Sequence, residues 1–92
     1  MELMNLLKTE LFITYEEPEI NTRLYRIILN AIDAMNHKIG AKIDYTVPSL
    51  EQALFINYCV YVYNGIENEF DNNYSHEIMQ ARIRHEVEDF NE

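Results

Sequence analysis

The best candidate for metal chemistry in this sequence is the dipeptide His76-Glu77. Zinc-protease helices carry the pattern H-E-x-x-H, in which two histidines bind the metal from one helix face and the glutamate acts as the base. Here the second ligand position is occupied by Gln80, so the motif is incomplete. The other histidines, His37 and His85, have no cysteine or carboxylate partners at ligand spacing. We therefore predict no metal site.

A catalytic role for a nucleophile or for an acid–base pair is equally poorly supported by the sequence. Cys59 lies in the most apolar part of the chain, without a neighbouring base to stabilise a thiolate, and is predicted to be a buried structural residue. The acidic pairs Glu67/Glu69 and Glu86/Asp89 fall in charge-rich stretches that are typical of solvated helix faces. No pattern of nucleophile, base and anion hole emerges.

Phosphate-binding loops need several glycines, and this chain has only Gly40 and Gly65. Neither the P-loop nor the dinucleotide-binding fingerprint can be placed on the sequence. The sequence thus predicts a protein that is not an enzyme and that holds no cofactor.

Length and charge narrow the class of protein further. A chain of 92 residues with 48% hydrophobic and 25% charged residues is typical of one folded domain. Its formal net charge of −9 would repel a phosphate backbone, which disfavours nucleic-acid binding by a basic face.

A single cysteine excludes an internal disulfide, and residues 1–13 do not resemble a secretory signal, so synthesis in the cytosol is favoured. The uncharged stretch of residues 53–66 is shorter than the ~20 residues that span a bilayer.

The apolar spacing predicts an all-α fold, a small four-helix bundle-like domain with short connections. Leu3, Leu7 and Leu11 recur at intervals of four and indicate the first helix. Pro18 within an acidic cluster indicates the start of the second helix, and Gly40 its end. The four helices are expected near residues 2–12, 18–39, 49–70 and 75–90.

The third of these helices has a competing interpretation as a strand. INYCVYVYNG is rich in β-branched and aromatic residues and ends in Asn64-Gly65, a dipeptide typical of hairpins. However, Ser49 and Gln52 form the capping-box pattern S-x-x-Q, and no second alternating run follows the glycine. We therefore expect a helix that continues to about Phe70.

After a turn at residues 71–73, Ser75 can cap a last amphipathic helix. The apolar stripe of that helix is predicted to consist of Met79, Ile83, Val87 and Phe90.

The third helix is apolar on every side, which leaves two interpretations open. In the first, it is a central core helix wrapped by the other three. In the second, a face that carries tyrosines meets another subunit, because tyrosine supplies amphipathic contact area at interfaces.

The stretch ALFINYCVYVYNGIENEFDNNYSHEIMQARIRHEV resembles the small head-tail connector proteins of tailed bacteriophages, the head-completion adaptors often described as DNA-packaging proteins. In that family an aromatic-rich helix runs into an asparagine step, an acidic-aromatic stretch, an Asn-Tyr or Asn-Phe pair and a closing helix. The matching elements here are Asn64-Gly65, Glu69-Phe70-Asp71, Asn73-Tyr74 and residues 77–87. Gly65 stands where the family more often has alanine. LLKTELFIT is similar to the family's opening, so the resemblance covers nearly the whole chain.

The resemblance implies a structural virion-assembly protein without catalytic residues. Copies of the chain are expected to form a ring below the portal protein, extend the DNA channel and support a stopper or tail-completion protein. DNA would pass through without specific binding, and no membrane is involved. The protein would be made in the bacterial host cytoplasm and reside in the virion at the head–tail interface. The candidate residues for oligomer or partner contacts are Leu3, Leu7, Tyr58, Tyr61, Tyr63, Ile66 and Tyr74.

The alternative is a small acidic protein-binding module, such as a DNA mimic or an inhibitor, which would explain the net charge of −9. A mimic should hold its acids in unpaired rows. Here Glu19 precedes Arg23 by four residues, and Arg82 and Arg84 lie within one turn or two of Glu86 and Glu88, which gives faces of mixed charge.

Overall fold

The computed structural model describes the backbone of residues 2–90 and the side chains of residues 2–87. Within this range all regular structure is helical, which confirms the predicted all-α, bundle-like fold. Four longer helices are joined by short connections, and the connection between the third and the last of them contains one turn of 3₁₀-helix (Glu67–Glu69) followed by a single-turn α-helix. The α-helices are α1 (Glu2–Glu10), α2 (Pro18–Ile39), α3 (Leu50–Tyr63), the single-turn α4 (Phe70–Asn73) and α5 (Ser75–Phe90).

The ends of α2 follow local signals in the sequence. Pro18 occupies the first position of the helix, where its missing N–H costs nothing. Gly40 ends the helix with a φ of 83°, and its N–H donates to the carbonyl of Asn36 at 2.8 Å. The side-chain Oδ1 of Asn36 accepts from the N–H of Ile43 at 3.2 Å and from the hydroxyl of Tyr45 at 2.8 Å. The helix end and the loop to α3 are therefore fixed by one asparagine.

The predicted extent of the third helix was wrong, because α3 ends at Tyr63. Gly65 adopts a φ of 73°, its N–H donates to Val62, and the N–H of Ile66 donates to Tyr61. These two bonds form a Schellman motif, which requires a left-handed residue at the glycine position. Asn64-Gly65 is thus a helix end, and the predicted turn at residues 71–73 is instead part of α4.

The start of α3 follows its predicted cap, since Ser49 Oγ accepts from the N–H of Gln52 at 3.1 Å. Ser75, by contrast, is the first residue of α5 rather than its cap.

α3 lies at the centre of the molecule, in contact with α1, α2, α5 and the 3₁₀ turn. Ala53 is the one residue of this helix that is exposed. The first interpretation of its all-round apolar character, a wrapped core helix, agrees with this placement. The other helices bury Leu3, Leu7, Leu24, Ile28, Met35, Phe70 and Ala81 around it.

The burial of Leu3 and Leu7 corrects their assignment as candidate interface residues. Both leucines belong to the face of α1 that packs on α2 and α3, so neither presents a surface to another molecule. The spacing of four predicts one apolar side of a short helix, and in this molecule that side is needed for the protomer's own core.

The orientation of α5 also differs from the prediction. The helix buries Ala81 completely and half-buries Ile78, whereas Met79, Ile83 and Val87 remain about half exposed. Alanine allows the backbone of α5 to approach its neighbours closely. The remaining residue of the predicted stripe, Phe90, has its side chain outside the described part of the structure.

Candidate functional site

Three of the tyrosines predicted to lie at an interface belong to an aromatic cluster around Phe70, which is fully buried. The ring of Tyr74 stacks on Phe70 at 4.7 Å, and the rings of Tyr58 and Tyr61 meet Phe70 edge to face at 5.0 and 5.5 Å. Burial and the neighbouring Tyr61 raise the pKa of the Tyr74 hydroxyl. These half-buried tyrosines attach α4 and the start of α5 to α3, so much of their contact area serves the protomer itself.

The other two predicted side chains lie beyond this cluster. The guanidinium of Arg23 sits 4.8 Å from the ring centre of Tyr63 and donates to the carbonyl of the same residue at 3.3 Å. Ile66, just after the end of α3, is exposed. The structure thus brings Tyr58, Tyr61 and Tyr74 together and leaves Tyr63 and Ile66 outside the group.

Cys59 is buried, as its apolar surroundings predict. Burial raises the pKa of its thiol to about 12, so the nucleophilic thiolate is essentially unpopulated at neutral pH. Among the described residues no group of three or more histidine, cysteine, aspartate or glutamate side chains could hold a metal ion.

An ion cluster that the sequence analysis missed joins the first turn of α3 to α5. Glu51 is only 1% exposed, its Oε1 accepts from Nη2 of Arg84, and the same oxygen lies 3.3 Å from Nε2 of His85. Burial alone would raise the pKa of this carboxyl, but the backbone N–H of Glu51, Arg84 and His85 outweigh it and lower the pKa. The carboxylate is therefore ionised at neutral pH and holds two helices together. Glu51 and Arg84 are 33 residues apart, so no local pattern reveals the pair.

The exposed apolar side chains are the most distinctive feature of the surface. We call Met79, Ile83 and Val87 the outer stripe of α5, because they follow one another at intervals of four on the side away from Ala81. Each is about half exposed, and all three are on one helix face. The sequence contains a signal for this arrangement, since Ile78 and Ala81 form a second apolar side of the same helix.

Two further exposed apolar sites accompany the outer stripe. Tyr25 and Leu29, one turn apart on α2, are about half exposed and are called here the α2 face. Phe12 is 89% exposed and adopts a φ of 59°, in the left-handed region. The N–H of Phe12 donates to the carbonyl of Thr9, and the N–H of Ile13 donates to the carbonyl of Lys8. These bonds form a second Schellman motif, in which Phe12 occupies the position where a glycine is usual.

Among the described residues, no helix is both long enough and apolar enough to cross a membrane. Comparison with protein-family models, with curated proteins and with solved structures finds no match to this chain.

Proposed function

We propose that the protein is a structural virion-assembly protein of a tailed phage or prophage, one subunit of a ring adaptor between the portal and the stopper or tail. The observation that carries the proposal is the outer stripe of α5. This helix already buries one apolar side in the protomer, yet it exposes a second one. Contiguous exposed apolar groups on a small protein mark a site of protein–protein contact. The resemblance to head-tail connectors is the reason for proposing a ring of identical subunits as the assembly in which this contact occurs.

The distribution of ion pairs favours this proposal over an acidic mimic of DNA. Lys8 pairs with Glu16 at 3.0 Å, and Lys38 pairs with Asp71 at 2.6 Å. These acids are partly neutralised within the protomer, whereas a mimic gains affinity from acids that remain unpaired for its partner.

The net charge of −9 suits a ring around DNA. Affinity for a phosphate backbone comes largely from lysine and arginine side chains that release its counterions. A strongly acidic protomer offers few such contacts, so DNA can move through the channel without being held.

The test uses portal rings purified from the phage or prophage whose genome encodes this chain. We expect the wild-type protein to sediment with the rings in several copies per ring, and electron microscopy to show an added layer on the portal. An unrelated acidic protein of similar mass serves as the control for non-specific sedimentation. Failure of the wild-type protein to bind the rings at any ratio would overturn the proposed function.

A further inference from the structure

We infer that copies of this chain associate head to tail, with the outer stripe of α5 in one copy packed on the α2 face of the next. The inference deepens the proposed function and rests on it in naming a second copy as the occupant of these surfaces. It assigns the contact to a small set of residues: Met79, Ile83, Val87 and Glu86 on one side and Tyr25, Arg26 and Leu29 on the other.

The two surfaces lie on opposite sides of the protomer. Lys38 is on the edge of α2 that meets α5, because its carbonyl accepts from Nε of Arg82 at 2.6 Å. Successive residues of a helix are about 100° apart, so Leu29, nine residues before Lys38, points about 180° away from that edge. The α2 face is therefore turned away from α5, and the outer stripe is turned away from the protomer's core.

Two different patches on opposite sides favour a heterologous contact, in which each copy uses both patches. Such a contact repeats from copy to copy and closes into a ring when the rotation between copies allows it. Pairing of the outer stripe with itself across a two-fold axis would leave the α2 face uncovered.

One exposed charge beside each patch has the opposite sign to the other. Arg26 adjoins Tyr25 and is exposed, and no ion pair or hydrogen bond to it occurs within the described residues. Glu86 adjoins Val87 and is exposed in the same way, again without such a partner in the described part of the chain. Because the protomers repel one another through a net charge of −9 each, an opposite pair at this contact selects it over other encounters.

Cross-linking tests the contact even if it is weak. The native chain has one cysteine, Cys59, which is buried, so an introduced cysteine is the one thiol that a short bis-maleimide reaches readily. We expect a chain with Ile83→Cys and a chain with Leu29→Cys to form a cross-linked dimer when mixed. The control replaces the second chain with one that carries Thr46→Cys, an exposed loop position outside both patches.

Two results would overturn the inference. One is a yield from the Ile83→Cys and Leu29→Cys mixture that does not exceed the control mixture. The other is an equally high yield from the Ile83→Cys chain alone, which would indicate that α5 pairs with α5. Circular dichroism on each variant verifies that the helices are intact.

Charge reversal provides the matched test of specificity. Arg26→Glu or Glu86→Arg alone should lower the cross-linked yield several-fold, and their combination in the two partners should restore it. Lys42→Glu, the same change at an exposed loop residue, should leave the yield unchanged. Equal effects of Lys42→Glu and Arg26→Glu would contradict the assignment. If portal rings bind the protein while these cross-links fail, the contact is wrong and the proposed function stands.

Discussion

Glu51 shows how a single buried charge can order two helices. Its carboxylate is ionised and faces Arg84 and His85 of α5, while Arg84 itself remains about half exposed. The free-energy cost of burying the carboxylate is thus offset by its attraction to a cation, and the cation itself keeps part of its hydration.

Glu51→Gln should destabilise the protein by about 1–3 kcal/mol, because the charge-assisted bonds to α5 are weakened. Urea unfolding followed by circular dichroism measures the change. Glu69→Gln, at an exposed position, is the matched control and should shift the free energy of unfolding by less than about 0.5 kcal/mol. Equal effects of the two substitutions would show that the cluster contributes little.

The same carboxylate predicts a dependence of stability on pH. The pKa of Glu51 in the folded state lies below its ordinary value of 4.5, so its contribution is complete above that pH. As the pH falls below 4.5 and through the lowered folded-state pKa, the carboxylate is protonated and the contribution is lost. We expect the difference in unfolding free energy between wild type and Glu51→Gln to shrink over this acidic window. A difference that stays constant down to the lowest pH at which both fold would contradict the lowered pKa.

Phe12 adopts a left-handed backbone conformation that bulky residues rarely take. Phe12→Gly should therefore stabilise the protomer by about 1 kcal/mol relative to Phe12→Ala, which removes the same ring but keeps the strained φ. Thermal unfolding of the two variants provides the comparison. A glycine variant no more stable than the alanine variant would mean that the φ of 59° carries no cost.

At the scale of elements, the sequence predicts what is encoded locally. The start of α3 at Ser49 and the end of α2 at Gly40 rest on contacts within a few residues, and both were predicted. The end of α3 was predicted too late, near Phe70 instead of Tyr63, because the apolar run suggested continuity while Gly65 permitted a left-handed stop.

The outward face of α5 could not be predicted from α5 alone. Both Ala81 and Ile83 lie on apolar sides of the helix, and the choice between them depends on which side fits against α2 and α3. For the same reason Leu3 and Leu7 were wrongly assigned to an interface. A spacing of four indicates an apolar face, but not whether the protomer or a partner covers it.

Two substitutions two residues apart test this orientation. Ala81→Leu should cost about 1–3 kcal/mol because it overpacks a fully buried site, whereas Ile83→Gln should change stability by less than about 0.5 kcal/mol. Chemical denaturation of both variants at low protein concentration gives the comparison. The reverse order of stabilities would place the outer stripe in the core and remove the basis of the proposed contact.

At the scale of the whole molecule, the protomer buries a core of its own but leaves the outer stripe and the α2 face uncovered. Among the residues that the structure describes, the 15 buried hydrophobic side chains include residues of every α-helix, so all parts of the protomer contribute to one core. The outer stripe and the α2 face lie on opposite sides, where a chain of copies would cover both. In the proposed assembly, this helical domain is the part that repeats.

The most direct test of this description is the mass of mixed variants in sedimentation velocity. Wild type at high concentration should form species larger than a dimer, whereas Ile83→Asp and Leu29→Asp should each remain at the protomer mass of 11.0 kDa. Mixed together, these two variants retain one intact outer stripe and one intact α2 face, so they should form a dimer and nothing larger. A mixture that stays monomeric while wild type assembles, or a wild type that never exceeds the protomer mass, would contradict the account.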